Sequence, residues 1–444
     1  MCRPSFISKK CRSRFKGYTI KGGNIMVINS QFKKLDAQDI LEFIRLGGLA
    51  YPFMNLHTPE DLQKQADRFI RIQNEDPDAK IYGAYRDDKM VGGMQLQDFT
   101  MNFDGVQIKA GGVGFVAVDL LHKKERIAKD IISYFIDHYR QRKVALAMLY
   151  PFRPDFYKQM GFGFGTKMNQ YKVKPNTLPR VEHKENNEYL TEQDKAAVID
   201  CYNRFAEKTH GMIKRTNIEI SNIFAPGKTT VIYKQGDKVE GYLSFFFKKV
   251  GELNPMKNDI IIKELVYHDL EVFKQLLNFL HTQFDQINRV VINTQDEYFH
   301  YLLDDPRDES DNNFAPIYHQ SNLQGVGLMY RIIDTSEFFT QLAEHSFNEK
   351  NIKLKLNIVD SFVDENNKPV IVEFKDGKPL VVGGINYDAE ISMDISDFSA
   401  MAMGCVEFRA LMNLGLAEIS DKSYAETVNN LFRTKDKPVC TTIF

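Results

Sequence analysis

The sequence has no apolar run approaching the roughly 20 residues of a membrane span, which removes the membrane-spanning class. Its five cysteines (Cys2, Cys11, Cys201, Cys405, Cys440) are scattered, without a CxxC and without histidines at ligand spacing. A disulfide framework and a zinc site are therefore not supported, no metal is expected, and a reducing compartment, the cytoplasm, is the simpler reading. Neither GxGxxG nor GKS/T occurs, so Rossmann and P-loop nucleotide sites lose their sequence basis. The first 25 residues contain no acid but seven Lys or Arg, and no apolar segment that would make them a secretory signal. Lys21-Gly22-Gly23 ahead of Met26 reads as a translated bacterial ribosome-binding site, so residues 1–25 are expected to be a non-native or disordered extension.

What is present fits a globular chain of 444 residues, 43% apolar and 26% charged, too long for one ordinary core. Formal net charge is −1, but beyond residue 25 the balance is 51 − 59 = −8. A mildly acidic body argues against nucleic acid and for cationic partners. Asp36 caps a helix whose Ile40, Phe43, Ile44 and Leu46 recur at helical spacing, and Thr58-Pro59-Glu60-Asp61 opens a second. Hairpins turning at Arg86–Lys89 and Asp104-Gly105 lead to the strand VGFVAVDLL. The helix that follows, within HKKERIAKDIISYFIDHYRQRK, is expected to bury Ile127, Ile131, Tyr134, Phe135 and His138, and VALAMLY is a second buried strand. The order hairpin–strand–helix–strand returns in TTVIYKQGDKVEGYLSFFF, DIIIKELVYHD, LEVFKQLLNFLHTQF and RVVINTQ, an internal repeat of elements. From about residue 331 a different α+β module begins, with helices expected over 336–346 and 423–434. Between the modules, DEYFHYLLDDPRDESDNN holds seven acids and one Arg: a solvated loop, or an acidic rim for a cationic substrate.

Helix N-termini carry free N–H groups and partial positive charge, and they favour acids in the first turn. Lys123, Lys124 and Arg126 crowd the start of the first unit's helix instead, which calls for an anion there or full solvation. The run PFRPDFYKQMGFGFG (151–165) closes the unit with a helical turn ended by Gly161 and then a strand.

The order of hairpins, VGFVAVDLL, basic helix start, VALAMLY and FYKQMGFGF resembles the GNAT superfamily of acyl-CoA-dependent N-acetyltransferases. Over residues 26–444 the chain resembles the enhanced intracellular survival (Eis) branch more closely. Tyr157–Gly163 (YKQMGFG), THGMIKR (209–215) and Phe444 as last residue carry that likeness. The resemblance implies an α+β chain of tandem GNAT domains with mixed sheets and helices on both faces. A catalytic domain at 26–171 and a degenerate one at 172–330 would precede a sterol-carrier-like domain at 331–444. It implies acetyl-CoA as co-substrate, its pyrophosphate wrapped by Lys123-Lys124-Glu125-Arg126-Ile127-Ala128 with Lys129. Val116, Ala117 and Val118 would lie along the pantetheine, with Phe152 and Arg153 completing the cofactor set. Arg126 stands where the family motif has glycine. The second unit offers only HDLEVFKQ, so no CoA is expected there. Tyr157 is implied as the acid that protonates the CoA thiolate, since a phenol with pKa about 10 is neutral at pH 7. The α-carboxylate of Phe444 is implied as the base, with Ile443 in place of a usual acid. The glycines after Tyr157 are expected to let that strand run beside the pantetheine.

The function so implied is acetyl transfer to a small cationic multi-amine such as an aminoglycoside, by a cytoplasmic homohexamer without membrane or nucleic-acid partners. Lysine acetylation on peptides or proteins, longer-chain acyl transfer and non-catalytic lipid or small-molecule binding are the alternatives.

Overall fold

The computed structural model describes residues 28–444 except 185, 216–226, 252, 253, 255, 309, 311, 315 and 316, so the 1–25 extension lies outside the described residues. In the first unit the Asp36 side chain accepts from the N–H groups of Gln38 and Asp39 to start the helix Ala37–Ala50. A Thr58–Asp61 capping box starts Pro59–Glu75. Strand β1 (Gln31–Lys34) pairs with β2 (Ala79–Arg86), which runs through β3 (Lys89–Phe103) into β4 (Val106–Val118). Both hairpins turn on two left-handed residues, Asp87 and Asp88 at φ 46° and 58°, then Asp104 and Gly105 at 42° and 98°, the backbone that a tight two-residue hairpin requires. The helix Ile127–Gln141 returns the chain to β5 (Leu146–Leu149), parallel to β4. That helix buries Ile127, Ile131 and Phe135 as expected, but Ile132, Ile136 and Tyr139 complete its face, while Tyr134 and His138 sit at its half-buried edge. Gly111 sets this rotation: the Tyr139 ring fills the place of its missing Cβ, and the phenol donates to the Gln97 carbonyl at 2.7 Å.

The second unit repeats the plan. Its strands are β7 (Met168–Val173), β8 (Asn187–Tyr189), β9 (Thr229–Gln235), β10 (Lys238–Lys249), β11 (Asn258–Tyr267) and β12 (Ile287–Thr294). The helix Leu270–His281 joins the parallel pair β11 and β12. A short ladder of β13 (Asn313–Phe314) with β14 (Tyr318–His319) precedes β15 (Asn322–Gly325) and β16 (Met329–Ile332).

The units exchange strands. The first sheet runs β1-β2-β3-β4-β5-β16-β6, where β6 is Gly163–Phe164, and the second runs β15-β7-β12-β11-β10-β9-β8. Thus β16, from the end of the second unit, sits between β5 and β6, and β7 crosses the other way. The boundaries expected at 171/172 and 330/331 fall inside these two strands.

The third module orders its strands β19-β18-β17-β20-β21: β17 (Ile352–Val359), β18 (Val370–Lys375), β19 (Lys378–Val382), β20 (Ala389–Asp394) and β21 (Ala417–Ile419). Its first and last helices are shorter than expected, Thr335–Gln341 and Ala425–Leu431. Phe338, Ile391, Phe398 and Phe432 of this module form one buried cluster with Phe99, Phe103, Met148 and Tyr330 of the first sheet. Its helix Ile395–Ala402 thus packs against β16 and β6 of the first sheet. Among the described residues no helix is long and apolar enough to cross a membrane.

Candidate active site

Parallel pairing of β4 with β5 runs only from Ala110↔Leu146 to Gly112↔Met148. Just beyond, β4 bulges: Gly114 pairs with Gln95 and Ala117 with Gly93, and Phe115 takes a left-handed φ of 47°. The bulge is braced from behind. Phe115 packs on Gly47, where no Cβ stands in its way, and stacks on Tyr51, whose phenol donates to the Val116 carbonyl at 2.7 Å. The two parallel strands therefore part, leaving an opening edged by Gly114–Val118.

At the end of that opening the chain turns through Leu120–His122 into the loop before Ile127–Gln141. Lys124 and Arg126 are both left-handed, φ 71° and 67°. Arg126 is the N-cap and makes no side-chain capping bond, so the first N–H groups of the helix keep no side-chain partner. Among the described residues Lys123, Lys124 and Arg126 form no ion pair, and all three are exposed. Glu125, an acid in an anion loop, is drawn aside by Arg86 (3.4 Å) and His122 (3.1 Å), while Arg86 also bonds the Glu125 carbonyl at 3.0 Å and Asp130 at 3.1 Å. This loop fits a phosphate group. Three other expected cofactor residues have work elsewhere: the Lys129 ammonium lies over the Phe362 ring at 5.5 Å, Arg153 pairs with Asp155, and the Val116 carbonyl is taken by Tyr51. Phe152 is 75% exposed beyond β5.

Tyr157 sits in the short helix Pro154–Lys158 with its ring buried beside Phe156 and Phe162. Its hydroxyl has no hydrogen-bond partner among the described residues, and burial, then the nearby Tyr51, pushes the phenol pKa up. The glycines that follow do not face the opening, which corrects the sequence-based expectation. Gly161, at φ 84°, makes room for the Arg331 guanidinium, Gly163 for the backbone of the helix Ile395–Ala402, and Gly165 for the Leu328 carbonyl. They are packing glycines.

Phe444 lies at the bulge. A Cβ on Gly114 would stand 2.7 Å from the Phe444 carboxyl carbon and 3.1 Å from its oxygen, and the ring packs against Phe99 (4.8 Å) and Tyr150 (5.4 Å). Ile443 is 86% exposed. Next to Phe99 is a cavity of about 120 Å³ lined by Asp76, Asp78, Gln97, Asp98, Thr100, Lys214 and Arg215. Burial, then Asp76 and Asp98, raise the Asp78 pKa; for Asp98 burial pushes upward, but hydrogen bonds from Arg142 and Tyr139 together with the charges of Arg142 and His138 bring it down. Sequence reading did not single out these three acids; its acidic run was 296–313, read as a solvated loop or an acidic rim. Among the described residues of that run, Asp305 pairs with Arg307, Asp308 accepts from Ser310 and Gln320, and Glu297 pairs with Lys437. The missed signal was register: Asp78 precedes β2 and Asp98 follows its partner on β3, their backbones joined at 2.9 Å. In the second unit the equivalent helix start is already filled by Asp269, which caps Val272 at 2.9 Å, with Glu271 beside it. No group of residues suited to a metal ion occurs among the described residues.

Comparison with known proteins agrees with this geometry. Family models match an acetyltransferase (GNAT) domain at residues 31–165, another at 211–332 and a sterol carrier protein domain at 337–441. No curated protein matches the chain by sequence. Among solved structures, a GCN5-related N-acetyltransferase from Anabaena variabilis superposes with TM-score 0.75 at 15% identity, over 94% of this chain and 100% of its own. A probable N-acyltransferase from Enterococcus faecalis gives 0.74 at 19%, and Eis1 from Mycobacterium abscessus 0.72 at 16%, both over 94% and 100%.

Proposed function

The chain belongs to the GNAT N-acetyltransferases, in the three-domain Eis arrangement, and from that premise we propose that it acetylates a primary amine of a small cationic multi-amine such as an aminoglycoside. The observation that carries this reading is the Phe444 carboxylate seated on Gly114, with its ring against Phe99, which lines a cavity together with three aspartates, Lys214 and Arg215. Bound in the opening between β4 and β5, acetyl-CoA supplies an acetyl group activated as a thioester. The N–H groups at the start of Ile127–Gln141, with Lys123, Lys124 and Arg126, hold its phosphates.

Asp76, Asp78 and Asp98 attract the cationic acceptor. The Phe444 carboxylate accepts one proton from the reacting ammonium, which frees the lone pair for attack on the thioester carbon. As the C–N bond forms and the C–S bond breaks, the Tyr157 hydroxyl donates a proton to the departing sulfur. Two protons leave the nitrogen in all: the first goes to Phe444 and on to solvent, and the second, from the acylated nitrogen, returns to the Tyr157 phenolate, so both groups are regenerated and one proton is released per turnover. Raising the phenol pKa keeps Tyr157 in its donating form. The proposal carries with it a cytoplasmic hexamer, which light scattering would read as six chains of 51.3 kDa.

The test is free-thiol release from acetyl-CoA with an aminoglycoside, a polyamine, a lysine peptide and no acceptor. Turnover is expected with the aminoglycoside and lost when two residues are added beyond Phe444 or when Gly114→Ala displaces the carboxylate. Turnover on the lysine peptide alone would replace the acceptor class, and full activity of the extended chain would remove Phe444 as base.

A further inference from the structure

The two GNAT units use the same place in their topology differently. In the second unit, parallel pairing of β11 with β12 stops at Ile261↔Val291, as that of β4 with β5 stops at Gly112↔Met148. Beyond that point β11 also bulges, against β10 between Ser244 and Phe245, and Glu264 stands on the diverging stretch. Here the strand carries half of a buried ion pair: Arg215 and Glu264, 7% and 6% exposed, meet at 2.7 Å. Tyr242 donates to the other Glu264 oxygen at 2.8 Å, and the Arg215 guanidinium lies 4.1 Å over the Tyr202 ring. A buried pair is weak evidence for stability, and this one turns its remaining donors outward to the last residues of the chain.

Those contacts form a directed set. Arg215 donates from Nε to Thr442 Oγ1 at 2.8 Å and from Nη2 to Thr441 Oγ1 at 3.2 Å. Since Tyr202 Oη lies 2.9 Å from the Ile213 carbonyl, which can only accept, its own hydrogen points there. The Thr442 hydroxyl, 3.2 Å away, then donates to Tyr202. From the first unit, Tyr150 donates to the Thr442 carbonyl at 3.0 Å. Upstream, the Val439 N–H reaches the His210 carbonyl at 2.8 Å and the Cys440 N–H reaches Gln295 at 2.7 Å. Gly211, at φ 85°, lets the backbone of Val439 lie against it. The segment 211–214 is fixed on its other side to β3, through Asn102 and Thr100. Two residues past Thr442 is the carboxylate on Gly114.

We propose that Arg215, Glu264 and Tyr202 are positioning residues through which the second GNAT unit clamps Thr441 and Thr442 and so seats the Phe444 carboxylate in the first. This rests on the role proposed above for Phe444. It gives the second unit a task in the reaction of the first, exercised through Thr442.

The test uses the full chain with Thr442→Val, which removes the hydroxyl and leaves the Arg215–Glu264 pair and the core intact, and Thr442→Ser, which restores the hydroxyl. The first readout, independent of turnover, is release of Phe444 by a carboxypeptidase. Release is expected to accelerate on the order of tenfold in Thr442→Val, at an unchanged melting temperature, for loss of a hydrogen bond to a charged group. The second is steady-state kinetics. kcat is expected to fall by roughly 10- to 100-fold with the KM for acetyl-CoA unchanged, and Thr442→Ser to recover both readouts. Wild-type release and wild-type kcat in Thr442→Val overturn the clamp, as does a general loss of stability without selective release of Phe444. Deletion of Phe444 separates the two ideas. Full turnover without it removes the base, while the release assay still decides whether Thr442 holds the terminus.

Discussion

The Tyr157 ring is packed in the core, but its hydroxyl has no hydrogen-bond partner among the described residues and so adds no bond to the fold. Its raised pKa has a defined sign in the kinetics: the donating form persists up to the raised value, so the alkaline fall in kcat is expected above the ordinary phenol range of about 10, not below it. Tyr157→Phe keeps the ring and is expected to lower kcat by 10²–10⁴-fold with little change in melting temperature, checked by pH–rate profiles of both forms. Arg126 makes the opposite compromise. It supplies charge at a helix start but holds φ 67°, which costs a side-chain residue about 1–2 kcal/mol. Arg126→Ala and Arg126→Gly lose the same charge and differ in that strain. Both are expected to raise the KM for acetyl-CoA relative to wild type, and Arg126→Gly to be the more stable of the two by about 1 kcal/mol in urea.

At the scale of elements, β16 is what ties the loop after Tyr157 to the rest. Its Arg331, fully buried, donates to the Met160 carbonyl at 2.6 Å and to Asp360 of the third module at 2.6 Å. Asp360 also accepts from the N–H groups of Phe362 and Val363 and from Asn366. Asp360→Ala leaves a buried guanidinium without its anion, for which about 3–5 kcal/mol of destabilisation is expected in denaturant melts. None of this was legible in the sequence. Helix starts at Asp36 and Thr58, the hairpin turns and the repeated strand–helix–strand unit were, because caps, turns and periodicity are local. The exchange of β7 and β16 was not, because strand partners more than 100 residues apart leave no local pattern. For the same reason the glycines of 161–165 were read toward the opening, when the groups that need their space come from Arg331, Leu328 and the helix Ile395–Ala402. Tyr157 and Phe444 enter the proposed site through family likeness; Arg215, Glu264 and the three aspartates, brought together by register and packing across units, had no local signal in the sequence.

For the whole molecule, the strand exchange and the shared core decide how it comes apart. The first sheet is incomplete without β16, and the buried cluster behind it mixes Phe99, Phe103 and Met148 with Phe338, Phe398 and Phe432 of the third module. Removing residues 333–444 would bare that cluster and delete Asp360 and the strap to Phe444 together. A chain of residues 28–332 is therefore expected to be aggregated or only partly folded, with loss of near-ultraviolet circular dichroism and gain of dye binding by exposed apolar surface. The separate second core, built around Leu243, Ile260, Leu276 and Val290, takes Tyr171 and Val173 from the exchanged strand, which also pairs with β12 and β15. Urea unfolding of the full chain should then show the first sheet and third module melting as one cooperative step, reported alike by probes placed in each. The second core is free to melt at another concentration. Independent melting of probes on β3 and on β17 would mean that the joint cluster does not couple them. The third module would then be an attachment to the first unit, and the seat of Phe444 would depend on the clamp alone.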